Sequence, residues 1–153
     1  MNKILFLCNR NLCSSRVAEA LFNQYATRQA QTKVSPNWQA ESRGFAVETH
    51  VGPFISPNAI DYLESQAIFL TAPRPPLPVE SVDLLWADVI VALHEKDHRP
   101  IIESQYPLWA NRVEFWNVPD FHESNWGRSL AKLEANVLEL ISIIRSGGQR
   151  ITA

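Results

Sequence analysis

The chain has 153 residues, 46% hydrophobic and 20% charged, with 5 Gly and 10 Pro, a composition that excludes collagen-like and intrinsically disordered classes. At this length folding hides roughly 70% of the unfolded chain's surface, so no disulfide or structural metal is needed to hold a core. Lys plus Arg number 14 against 16 Asp plus Glu, a formal charge of −2, which leaves no global positive field for nucleic acid or anionic lipid. Any anion site must be local.

Ile4-Leu5-Phe6-Leu7 is wholly apolar without alternation, the pattern of a strand buried on both faces of a parallel sheet. It is far shorter than the ~20 residues of a membrane span. It stops at Asn9-Arg10-Asn11 with no small-residue cleavage site after it, so the expected address is the cytoplasm. Ser14 and Ser15 read as N-caps of a helix whose face is Ala18, Leu21, Phe22 and Tyr25. Trp38 to Ser42 predicts a short strand closed by Gly44. Ser56-Pro57 predicts a helix from Pro57 to Gln66, with Ser56 as cap and Ile60, Leu63 and Ala67 on its apolar face.

The proline-rich stretch Ala72 to Pro78 predicts an extended surface loop, a rigid connector before it is a PxxP ligand. Val79 to Ala87 predicts a short helix leading into the buried strand Val89-Ile90-Val91-Ala92-Leu93. His94 to Ser104 predicts a loop and then helix on either side of Pro100. Arg112 to Trp116 alternates as a strand, and Val118-Pro119-Asp120 leaves the sheet. Leu130, Leu133, Val137, Leu140, Ile141 and Ile144 mark a long last helix, ending at Gly147-Gly148. The expectation is one α/β domain over 1–153: three layers, α/β/α, with a four-stranded, mainly parallel sheet. In such folds ligands bind beyond the carboxyl ends of the strands, where Cys8 to Ser15, the loop after Leu93, and Asp120 fall.

Cys8 to Ser15 lies between a buried strand and a helix N-terminus, where unpaired backbone N–H groups and the helix dipole favour an anion. The same positive end favours thiolate, the nucleophilic form of cysteine. Cys8 is therefore the candidate nucleophile, and Asn9, Arg10, Asn11, Leu12, Cys13 and Ser14 the candidate phosphate cradle.

The opening Ile4-Leu5-Phe6-Leu7-Cys8, with Asn11, Cys13, Ser15 and Ala18-Glu19-Ala20, resembles the low-molecular-weight protein tyrosine phosphatases, whose pattern is strand, Cys-x5-Arg-Ser, helix. Ser42-Arg43-Gly44 resembles the family's Ser-Ala-Gly, Ile55 to Ala59 its helix start, Ala87 to Val91 its third strand, and Val118-Pro119-Asp120 its late acid motif. The resemblance implies that Cys8 attacks phosphorus, Asp120 protonates the leaving oxygen, Ser15 hydrogen-bonds the thiolate and an Asn11–Ser42 contact holds the loop. It implies a phosphorylated small molecule or protein as partner, no metal or cofactor, and Cys13 as a reversible disulfide partner under oxidation. Phe54 and Phe121 are candidates to line a phosphotyrosine cleft.

Two residues depart from the pattern. Phe121 follows Asp120 where the family has Pro, which leaves the carboxylate in place. Ser14 stands where the family has the loop arginine, whose guanidinium forks the phosphoryl oxygens in the transition state. Losing two charged hydrogen bonds of about 1.5–3 kcal/mol each slows the reaction by about 10²–10⁴ unless Arg10 or Arg16 fills the place. The expected function is thus weak or retargeted phosphomonoester hydrolysis, with a phosphate- or phosphoprotein-binding pseudophosphatase as the alternative.

His94-Glu95-Lys96-Asp97-His98 matches H-E-x-x-H, a zinc hydrolase motif when it lies within a helix. Here a strand precedes it and Pro100 follows, and His122, Glu123 and Glu103 have no persuasive spacing as a third ligand. A thiol-coupled arsenate reductase would need further cysteines, and none follows Cys13.

Overall fold

The computed structural model describes residues 2–29, 38–48, 54–70, 74–119 and 126–146. Four strands, β1 (Asn2–Cys8), β2 (Trp38–Gly44), β3 (Val89–Ala92) and β4 (Val113–Phe115), form one sheet in the order β2-β1-β3-β4. Every pairing is parallel, with Cys8 opposite Gly44 and Leu7 opposite Ala92. Helices α1 (Ser14–Gln29), α2 (Pro57–Ser65), α3 (Ser81–Trp86), α4 (Glu95–Gln105) and α5 (Trp126–Arg145) supply the outer layers.

β1 carries apolar residues on both faces, and each face builds its own core. Ile4, Phe6 and Cys8 pack with Leu21 and Phe22 of α1, Leu63 of α2 and Leu133 and Val137 of α5. Leu5 and Leu7 pack with Leu84 of α3 and Ile102 of α4. Full burial of each such side chain contributes about 1.5–3 kcal/mol. The chain leaves β1 towards the first of these faces and leaves β3 towards the second. The two connections diverge beside Cys8, and a crevice opens at such a switch of direction.

Several expectations are corrected. Serines 14 and 15 lie inside the first turn of α1, because the helix begins at Ser14 with the Val17 N–H on the Cys13 carbonyl at 2.9 Å. Pro57 does open α2, but the Ser56 side chain makes no cap; its backbone N–H instead donates to the Leu12 carbonyl at 2.8 Å, tying α2 to the loop after β1. Ala67 is exposed at φ 60, and Ala59 takes its place in the buried face beside Leu63. Pro100 does not divide α4: the helix runs through it, giving up one backbone donor while Ile102 is fully buried. The described part of the proline-rich stretch, residues 74–78, is the extended connector expected, and it is also tied to the sheet. Gly44 N–H donates to Leu77 O and Val79 N–H to Gly44 O, both at 2.9 Å, and Pro76 is buried, so residues 76–79 lie as a strap along the end of β2.

Candidate active site

The loop 9–13 is held from outside by its carbonyls. Phe45 N–H donates to Cys8 O at 2.9 Å, Ala46 N–H to Asn9 O at 2.7 Å, Ser56 N–H to Leu12 O at 2.8 Å and the Arg16 guanidinium to Asn11 O at 3.4 Å. A trans peptide points its N–H opposite to its C=O, so these tethers turn the N–H groups of Asn9, Arg10, Leu12 and Cys13 to the other side. Asn11 sits at φ 57, a left-handed conformation that asparagine tolerates, and its own N–H lies 3.3 Å from Cys8 Sγ. Gly44 makes the close approach possible: a Cβ there would lie 2.7 Å from Asn9 O and 3.0 Å from Asn11 N.

Cys8 is buried, with its Sγ 2.9 Å from Ser15 Oγ. The buried Asn11 amide organises the surrounding polar groups. Its Nδ2 donates to Ser15 Oγ at 2.8 Å and to Ser42 Oγ at 3.0 Å. Its Oδ1 accepts from Arg74 Nη1 and from Leu77 N–H, both at 3.1 Å. The Ser42 hydroxyl donates to Glu19 Oε1 at 2.7 Å, and Arg74 Nη2 reaches Glu19 Oε1 at 3.2 Å and Ser42 O at 2.7 Å. Burial pushes the Glu19 carboxyl above its ordinary range, opposed by the Ser42 hydrogen bond and by Arg74.

Arg16, 5% exposed, donates to Arg74 O at 2.6 Å as well as to Asn11 O. Burial first, and the neighbouring Arg74 charge second, lower its pKa to about 10, so it stays protonated at neutral pH. Arg16 is thus held on the carbonyl side of the loop, whereas Arg74 is held by the Asn11 side chain, Ser42 and Glu19. Arg10 is exposed, Ser14 is buried at the start of α1, and Cys13 is half-buried. Phe54 is 40% exposed. Asp120, Phe121, His122 and Glu123 lie outside the described residues.

The chain belongs to the low-molecular-weight phosphotyrosine protein phosphatase family, whose profile matches residues 3–141. It is 30% identical over 118 residues to a protein-arginine-phosphatase of Bacillus subtilis (strain 168), covering 72% of this chain and 67% of that protein. Its fold is similar to that of YfkJ from Bacillus subtilis (TM-score 0.82, 20% identity, 97% of this chain and 98% of that one). It is also similar to the low-molecular-weight protein tyrosine phosphatase of T. tengcongensis (TM-score 0.78, 22% identity, 93% and 99% covered).

The H-E-x-x-H residues do not lie within one helix. His94 precedes the first residue of α4, its Nδ1 lies 2.9 Å from Asp97 Oδ2, and its backbone N–H donates to His98 Nδ1 at 3.1 Å. Among the described residues no three His, Cys, Asp or Glu side chains gather as a metal site. Nor is any described helix long and apolar enough to cross a membrane.

Sequence reasoning missed Arg74, Glu19 and the Leu77 N–H. Arg74 had one signal, as the lone cation in the run Ala72 to Pro78. The partners of Glu19 and Leu77 come from distant segments and leave no local pattern.

Proposed function

We propose that the chain hydrolyses phosphomonoesters through a phosphocysteine at Cys8, slowly because Ser14 stands in place of the family's loop arginine. The observation that carries this reading is the loop whose carbonyls are tethered outward around a buried thiol that faces Ser15 Oγ and the Asn11 N–H. Amide groups turned inward stabilise charge on equatorial phosphoryl oxygens without reorganising. Cys8 thiolate attacks phosphorus and the bond to the leaving oxygen breaks, Asp120 supplying that oxygen's proton. Water then attacks the phosphocysteine, Asp120 carboxylate takes its proton, and the S–P electron pair returns to Cys8. Ser15 holds the sulfur in both steps, and Ser42 holds the loop through Asn11. A thiol nucleophile requires a reducing compartment, which supports a cytoplasmic address.

One observation favours a second reading, a pseudophosphatase that binds phosphate or a phosphorylated protein without turnover: Arg16 is committed to the carbonyls of Asn11 and Arg74. That leaves exposed Arg10 as the loop cation to reach a bound phosphate. The deciding experiment is hydrolysis of para-nitrophenyl phosphate, a phosphotyrosine peptide and a phosphoarginine peptide from pH 5 to 8. Wild type is compared with Cys8→Ser, Asp120→Asn, Arg10→Ala and Ser14→Arg. Turnover lost in Cys8→Ser and Asp120→Asn, and raised about 10²-fold or more in Ser14→Arg, supports the slow enzyme. No wild-type turnover, but a gain in Ser14→Arg, supports the binding module. Turnover that survives Cys8→Ser overturns both.

A further inference from the structure

We propose that Arg74, carried by the proline-rich strap, is the positioning residue of the nucleophile loop: it locks the Asn11 amide in the one orientation that directs the Ser15 proton at Cys8. The inference rests on reading Cys8 as the nucleophile.

The argument is one of donors and acceptors. An amide side chain has one oxygen that accepts and one nitrogen that donates two hydrogens. Two donors, Arg74 Nη1 and Leu77 N–H, meet Asn11 on one side, and only its oxygen can receive them. The nitrogen must then face Ser15 and Ser42, and both of its hydrogens are used. Ser15 Oγ accepts from Asn11 and, towards a nucleophilic thiolate that has no hydrogen to give, donates its single proton across the 2.9 Å to Cys8 Sγ. Were the amide reversed, its oxygen would face Ser15 and compete with the sulfur for that proton. Leu77 N–H alone is one neutral donor; Arg74 adds a charge-assisted one and reaches Ser42 O, Ser42 Oγ and Glu19 Oε1 with the same guanidinium.

The strap is itself held in place. Leu77 O and Val79 N–H pair with Gly44, and Arg16 donates to Arg74 O. Arg16 thus fixes the backbone from which Arg74 extends, and Arg74 fixes Asn11. Arg16 and Arg74 act on a loop in which Ser14 holds the place of the family's arginine.

The test follows alkylation of Cys8 by iodoacetamide from pH 4 to 9, with the modified cysteine identified by mass spectrometry. The proteins are wild type, Arg74→Gln, Arg74→Lys and Arg99→Gln. In Arg74→Gln the rate–pH curve moves to higher pH by about one unit, so that at mildly acidic pH the rate falls about tenfold. Arg74→Lys, which keeps the charge but not the fork, moves it less, and Arg99→Gln on α4 overlays wild type. A strap that merely supported the fold would lower the melting temperature and leave the curve where it is. Curves for folded Arg74→Gln and Arg74→Lys that superimpose on wild type overturn the proposal; should Arg74→Gln not fold, Arg74→Lys decides alone. No substrate is present, so a chain that hydrolyses nothing still gives the readout, and the two proposals fail separately.

Discussion

The Cys8 sulfur and the Ser15 hydroxyl face each other at 2.9 Å across the mouth of a tight loop, one ending a central strand and the other in the first turn of the following helix. Removing the Ser15 hydroxyl takes a hydrogen bond from Cys8 Sγ and leaves one Asn11 Nδ2 hydrogen without an acceptor. Ser15→Ala should lower the hydrolysis rate by about 10–100-fold and stability by about 1–3 kcal/mol, measured by steady-state kinetics and urea unfolding. An unchanged rate would remove Ser15 from the chemistry.

Gly44 is where β2 packs against the loop. An added Cβ would meet the backbone at Asn9 O and Asn11 N and the Val47 side chain at 2.8 Å, and backbone atoms cannot swing aside. Gly44→Ala should cost about 1–3 kcal/mol and slow Cys8 alkylation, because relief of the clash displaces the loop. A variant as stable and as reactive as wild type would contradict the packing described above.

Glu19 gives the pH dependence a sign. Burial holds its folded value above the ordinary 4.5, so the native state keeps a proton the unfolded chain has lost. Stability from this group is complete below 4.5 and declines as pH rises through the folded value. Urea midpoints for wild type should therefore fall relative to Glu19→Gln as the pH rises above 4.5. Parallel curves would refute the assignment.

Tyr62 joins α2 to α5 by donating to Glu134 Oε2 at 2.6 Å. Burial first, and the bond to Glu134 second, raise its phenol above the ordinary 10.0. Tyr62→Phe should lose about 0.5–1.5 kcal/mol at neutral pH. The deficit should shrink above pH 10, where the unfolded chain ionises its tyrosine and the native state resists. Thermal melts at pH 7 and 10.5 make the comparison.

The strand–loop–helix that presents Cys8 is legible from the sequence because its causes are local: an apolar run, a polar break, and helical spacing from Ala18 to Phe22. The same holds for the buried strand Val89 to Ala92 and the stripe of α5, each set by its own periodicity. The family resemblance could be read from Cys8, Asn11, Cys13 and Ser15, and so could the serine at position 14. Folding decided which way the other side chains turn. Arg16 reads as a candidate phosphate ligand, yet it is buried against carbonyls; Arg74, 63 positions from Asn11, reads as part of a connector, yet it meets that residue's amide. Helix and strand periodicity is set by neighbours two to four residues away, whereas a saturated amide depends on two donors and two acceptors from three separate segments meeting at one place. Only the parallel sheet, by setting Gly44 opposite Cys8 and laying the strap beside both, brings them there.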